Sequence, residues 1–142
     1  MAYRWQPPDL DTRFYIDMAW WQASGRDIRV YIRDLLCDDC REQYADSFQE
    51  LEQIDWIDEL TGEVSVVDGL WHCLRTCCSQ KADYIDDSTP IVDAVFRTLL
   101  ANGNKPLSVR ELHAALNRRP AKTLLRILTG GQVYLGIRPY RD

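Results

Sequence analysis

Two groups of residues in this chain have side chains and spacings that can do chemistry. The first is a set of thiols. Cys37-Asp38-Asp39-Cys40 holds two cysteines with two residues between them, a spacing that lets both bind one tetrahedral ion. Further along lie His72, Cys73, Cys77 and Cys78. Cys73 and Cys77 are four apart, so on a helix they face the same way. An all-cysteine site from Cys37, Cys40, Cys73 and Cys77 is therefore the most economical arrangement, holding a structural zinc ion. His72 or Cys78 could replace one ligand.

Such a clip would support a module of about 80 residues, a size at which an apolar core alone is marginal. Two readings compete with it. Cysteine is among the most buried residue types, and Cys77 and Cys78 sit on the apolar side of their helix, so free buried thiols fit as well. A thiol or metal enzyme is the third. It would need an open coordination position with a base beside it. The chain has only two histidines, His72 and His113, and they fall in different segments. No glycine-rich phosphate loop, nucleophile elbow or paired-carboxylate motif is present, so no enzyme and no small-molecule substrate is inferred. The acidic group Asp55, Asp58, Glu59 and Glu63 does not have calcium-loop spacing and reads as a solvated hairpin.

The second group is basic. Arg119, Lys122, Thr123 and Arg126 recur at i, i+3, i+4 and i+7, one face of a helix, with Leu124, Leu125 and Leu128 on the other. A cationic, hydroxyl-bearing stripe of this kind suits phosphates and the acceptor atoms of a DNA major groove. Arg118 and Arg138 flank it as candidate phosphate contacts.

Charge along the chain sets the two groups apart. Residues 1–87 carry 8 Lys+Arg against 19 Asp+Glu, and residues 88–142 carry 9 against 3. The overall charge of −5 in 142 residues hides this division. Apolar residues make up 46 % of the chain and five are Trp, enough for a packed core. The apolar runs fall far short of the roughly 20 residues that span a bilayer, and residues 1–11 do not read as a secretory leader. A cytoplasmic protein without membrane contact is expected, and that compartment favours metal ligands or free thiols over disulfides.

The elements that must position these residues are mostly helices. Residues 1–10, with Pro7-Pro8, read as an arm. Asp11 opens a helix that Gly25 ends, and its segment Phe14–Trp21, apolar on nearly all sides, suggests a core helix or a homodimer interface. Ser24 and Asp27 can cap a second helix bearing Ile28, Tyr31, Ile32, Leu35 and Leu36. A third runs from about Arg41 with Tyr44, Phe48 and Leu51 on one face. Alternation and Thr61-Gly62 predict a β-hairpin at 53–67, followed by a helix from Asp68 to about Lys81. The Asp-rich stretch 82–88 reads as a linker. Beyond it Thr89-Pro90 opens a helix, Ser108 and Glu111 form a capping box for another, and Pro120 leads into a third ending at Gly130-Gly131. Gln132–Arg138 alternates as a half-buried strand. The expected fold is mainly α with a small β-hairpin (α+β), in three parts: an arm (1–10), an acidic cysteine-bearing module (11–87) and a basic domain (88–142).

Three short helices, the last two joined by a tight turn and followed by a strand, resemble the winged helix-turn-helix superfamily over about residues 88–142. The resemblance implies that Ala121–Thr129 is the recognition helix and Ser108–Leu116 the helix before it. One departure stands out. A wing needs a second strand after the first, and only Pro139–Asp142 remain. The expected function is a DNA-binding transcriptional regulator with a structural zinc site, with double-stranded DNA as partner and a homodimer through Phe14–Trp21. The alternative is a protein-interaction module whose basic domain docks on an acidic partner or on its own N-terminal module.

Overall fold

A computed structural model describes residues 7–44, 54–57, 64–67 and 69–141, the residues 43–44, 54–57 and 64–67 by their backbone alone. It is mainly helical with small antiparallel sheets, as the periodicities predict. The chain forms two compact units, one from Met1–Gly25 with Asp87–Asp142 and the other from Arg26–Asp86. The expected boundary near residue 87 is one of the two junctions. Residues 11–25, expected in the acidic module, belong instead with the C-terminal segment.

In the first unit, strand β1 (Arg13–Ile16) and helix α1 (Met18–Ser24) are followed, beyond the second unit, by α5 (Ile91–Ala101), β4 (Leu107–Ser108), α6 (Val109–Leu116), α7 (Ala121–Leu128) and β5 (Ile137–Pro139). The strand order is β4-β1-β5, antiparallel throughout. The N-terminal segment thus supplies the central strand, and β4 and β5 pair only with it. Phe14 faces Leu107 on one side and Pro139 on the other, and Ile16 faces Ile137. Beyond Leu107 the Asn104 amide continues the ladder: its Oδ1 accepts from the Ile16 N–H (2.7 Å) and its Nδ2 donates to the Ile16 carbonyl (2.9 Å).

The expected helix from Asp11 is replaced by this strand and a shorter helix. Phe14 and Ile16 are buried while Arg13 is exposed and Tyr15 half-buried, the two-residue alternation of a one-sided sheet. Asp17, not Asp11, caps α1, its Oδ1 accepting from the Ala19 N–H (2.9 Å), and Gly25 ends it in the left-handed region. Phe14, Ile16 and Trp21 lie in a core with Val95, Phe96, Leu99, Leu112, Leu124 and Ile137. That core takes up Phe14, Ile16 and Trp21 of the apolar run, the first of the two roles expected for it. Residues 9–12, which span the end of the expected arm (1–10) and the expected cap Asp11, form a turn whose Leu10 carbonyl accepts from the Arg110 N–H (3.1 Å).

The capping box at Ser108 and Glu111 is present in both directions. The Ser108 N–H holds the Glu111 carboxyl below the usual carboxylate range. Pro90 takes the cap position of α5, and Thr89, expected there, is buried and accepts from Arg97 Nη1 (3.5 Å). The strand expected over Gln132–Arg138 is only Ile137–Pro139. Leu135 (φ 53°) and Gly136 (φ 77°) take consecutive left-handed conformations that turn the chain before it can extend. A Cβ at Gly136 would lie 2.9 Å from Trp21 Nε1, so only glycine fits both the dihedral and the space. The turn is fastened to the N-terminal segment, with Asp17 N–H donating to the Gly136 carbonyl (2.7 Å) and Trp21 Nε1 to the Leu135 carbonyl (3.0 Å).

The second unit contains α2 (Ile28–Leu35), α3 (Asp38–Tyr44), the antiparallel pair β2 (Ile54–Ile57) and β3 (Val64–Val67), and α4 (Gly69–Thr76), followed by a 3-10 turn over Cys78–Gln80. Asp27 caps α2 through the Arg29 N–H (2.9 Å), and Ile32 and Leu36 are its buried residues beside those of α4, Leu70, Cys73 and Leu74. α3 begins at Asp38, three residues before the expected start. Phe48, Leu51, Asp58, Glu59 and Glu63 lie outside the described residues.

Grouped by unit, the charges keep their opposition. The unit with the sheet carries 11 Lys+Arg against 7 Asp+Glu, and the other 6 against 15.

Candidate metal centre and nucleic-acid interface

The candidate metal centre is built at the two places where helices of the second unit stop. α2 ends because Leu36 is extended (ψ 141°), and Cys37 follows in the joint before α3. Its carbonyl accepts the Arg41 N–H (3.0 Å), which seats Cys40 one helical turn later on the buried side. The Arg41 guanidinium donates to the Asp34 carbonyl and binds the joint on its outer side. α4 ends at Thr76. Cys77 (φ −125°, ψ −64°) leaves helical geometry, and the chain tightens into the 3-10 turn that carries Cys78.

The thiols of Cys37, Cys40, Cys77 and Cys78 converge, with all four sulfurs within 4.8 Å of one another. Cys37 Sγ lies 3.8 Å from Cys77 Sγ and 3.5 Å from Cys78 Sγ. A tetrahedron of thiolates around one ion at a metal–sulfur distance near 2.3 Å has edges of about 3.8 Å. The four cysteines can therefore hold a single metal ion with little rearrangement. Cys37 N–H also donates to Cys78 Sγ (3.2 Å), the kind of backbone contact that orients a sulfur ligand and disperses thiolate charge.

Burial and mutual proximity divide the thiols. Burial drives Cys40 far above the ordinary thiol range and pushes Cys78 up to about 11. For Cys37 burial acts the same way, but hydrogen bonds from the Cys40 backbone and the neighbouring thiols outweigh it and lower the pKa. Lys81 stands just after the cluster, its Nζ 3.1 Å from Asp39 Oδ2. It is held protonated first by Asp39 and then by the negative potential of Cys77 and Cys37. A cation there offsets part of the charge that four thiolates would concentrate.

The site thus contains three of the four favoured cysteines, and Cys78 stands where Cys73 was expected. Cys73 is buried with Leu70 and Leu74 on the inner face of α4 and is not in the cluster. The reason is local. Cys73 and Cys77 would share a face only on a continuous helix, and the helix stops between them. Cys77 N–H still bonds the Cys73 carbonyl (3.0 Å), but the following backbone turns Cys77 and Cys78 toward Cys37. His72, the other alternate, also lies outside the cluster; it is half-buried, and burial lowers its pKa. Lys81 was missed by sequence reasoning, and its only signal was a lone cation after a cysteine pair.

The basic residues collect around α7 in the other unit. Leu124 and Leu128 are buried under the helix and Leu125 is half-buried, while Lys122 and Arg126 are exposed and Thr123 half-buried. Pro120 occupies the cap position, so Arg118 and Arg119 lie in the turn before the helix rather than on its stripe. The side chains of Arg118, Arg119, Lys122 and Arg126 make no hydrogen bond or ion pair with any other described residue. Arg138 differs: its Nη1 lies 3.3 Å from Asp17 Oδ2, so it already has a carboxylate partner. Arg110 likewise pairs with Asp11 (2.9 Å).

Comparison with protein-family models, with curated proteins and with solved structures gave no match. No helix among the described residues is long and apolar enough to cross a membrane.

Proposed function

We propose that the chain is a DNA-binding transcriptional regulator whose acidic unit carries a structural zinc ion. The observation that carries the nucleic-acid part is the unpaired cationic set on and before α7. Four basic side chains stand exposed, with no internal partner among the described residues: Lys122 and Arg126 on a short helix anchored by Leu124 and Leu128, and Arg118 and Arg119 in the turn before it. Nearby cations such as Arg110 and Arg138 do have carboxylate partners. A protein that leaves like charges together and unneutralised keeps their mutual repulsion, which a polyanion would relieve.

The order helix, strand, helix, turn, helix, strand from α5 to β5 is that of a winged helix-turn-helix, and β1 supplies a third strand where the C-terminal segment has none. This supports α7 as the recognition helix. Lys122, Thr123 and Arg126 would face the major groove, and Arg118 and Arg119 the phosphates beside it. Zinc is the preferred ion for the cluster. It takes four thiolates in tetrahedral geometry, and such a closed site has no open position for a reaction.

Protein interaction is the second reading, favoured by the excess of acidic residues in the unit Arg26–Asp86, whose charge is complementary to that of the stripe.

The test is duplex DNA binding by the full chain over a salt series, with a Lys122→Glu/Arg126→Glu variant beside it. The proposal expects binding that weakens steeply with salt, and a variant that loses binding with its melting temperature unchanged. Removal of two phosphate contacts, in an Arg118→Ala/Arg119→Ala variant, should lower the slope of log affinity on log salt by about 2. No binding at low salt by the unaltered chain would end the DNA reading. A variant whose melting temperature falls instead would favour protein contact.

A further inference from the structure

The unit that carries the basic helix is discontinuous in sequence. Its central strand and α1 come from before Gly25, and its remaining elements come after Asp87. Without β1 the strands β4 and β5 have no mutual pairing, and the Leu135-Gly136 turn loses its bonds to Asp17 and Trp21. The unit Arg26–Asp86 is therefore the only covalent tether between the central strand and everything that packs on it. That tether holds the tetracysteine site, with ligands near both of its ends: Cys37 and Cys40 early, Cys77 and Cys78 late.

We infer that metal occupancy of the tetracysteine site regulates the integrity of the sheet and of the basic helix beside it, through the length of this tether. The inference rests on the metal and nucleic-acid readings above for its biological meaning. Joining two chain segments costs entropy that grows as three-halves of the logarithm of the flexible length between them. Without a cross-link, the entropic limit for this segment is a flexible loop of roughly 60 residues. With an ion bridging Cys37 and Cys40 to Cys77 and Cys78, only about 20 residues remain outside the closed ring. A threefold shortening raised to the three-halves power favours the closed sheet about fivefold. Metal bound in one unit thereby stabilises a sheet to which it makes no bond.

The test is hydrogen exchange of the full chain, loaded with zinc and then stripped by a chelator, after zinc uptake has been measured. The amides of residues 13–16 and of Ile137 and Arg138 should exchange about fivefold faster in the stripped protein, although no ligand lies in either segment. A Cys37→Ser/Cys78→Ser variant should exchange at the fast rate with or without zinc. Unchanged exchange in residues 13–16 while residues 28–44 lose protection would overturn the inference, and so would an absence of zinc uptake. Duplex binding measured on the same samples separates the two proposals. If zinc slows exchange in β1 but neither form binds DNA, the coupling stands and the nucleic-acid reading falls.

Discussion

The two units solve the problem of holding a short chain together in different ways. The sheet unit relies on apolar burial over long sequence separations: Phe14, Trp21, Phe96, Leu112 and Leu124 are all nearly inaccessible, and a central strand is stitched to residues almost a chain-length away. The unit Arg26–Asp86 has a smaller described core, in which Cys40, Cys73 and Cys78 take places that aliphatic residues fill in the other unit. It also has four thiols gathered at two helix ends. The lesson is that apolar area and a metal clip are alternative sources of order. A segment with a large excess of like charge, 15 acidic residues against 6 basic, would gain from the second, because self-repulsion opposes its compaction.

The largest expected effect strikes the thiol-bearing unit. Structural zinc contributes on the order of 10 kcal/mol in small metal-dependent folds. Replacement of Cys37 or Cys78 by Ser should therefore abolish tight zinc binding and remove the helical signal of α2–α4, read by circular dichroism and metal stoichiometry. Cys73→Ala is the sharpening control. Because Cys73 is packed beside Leu70 and Leu74 rather than in the cluster, it should keep one zinc per chain. Loss of zinc from Cys73→Ala with retention in Cys78→Ser would exchange their roles and break the contrast.

A smaller effect is expected in the sheet unit. Phe14→Ala removes a fully buried ring from the central strand and should cost about 3–5 kcal/mol. Denaturant unfolding should show this whether or not zinc is present. If only the zinc-free protein were destabilised, the sheet would not depend on its own core. The smallest effect is Gly136→Ala. A positive φ disfavours any Cβ there, and Trp21 Nε1 would lie 2.9 Å away, so a loss of about 1–3 kcal/mol is expected. Gln132→Ala, at an exposed position just before the turn, should leave the midpoint unmoved in the same assay.

Much of this was legible locally. The capping box at Ser108, the caps at Asp27 and Gly25 and the amphipathic α5, α6 and α7 follow from neighbours three or four apart, and the antiparallel pair after residue 53 from two-residue alternation. So did three of the four clustered thiols, because the Cys37–Cys40 spacing is itself a chelate. Phe14–Trp21 misled because apolar residues adjacent in sequence satisfy a helix as well as a strand joined to a helix. Its two-residue alternation was present at Arg13–Ile16, but only pairing with Leu107 and Ile137 makes it decisive.

Taken by itself, the sequence determined the local elements, the two opposite charge regions and the thiols available for a metal. The tertiary structure decided which segments share a core, that the central strand comes from the other end of the chain, and that Cys78 rather than Cys73 completes the cluster. The physical reason is common to all three. Local hydrogen bonds and helical spacing act over a few residues, whereas strand partners and ligand sets depend on where the chain turns, at Cys77 and at Leu135-Gly136, and those turns are set by what the rest of the fold packs against them.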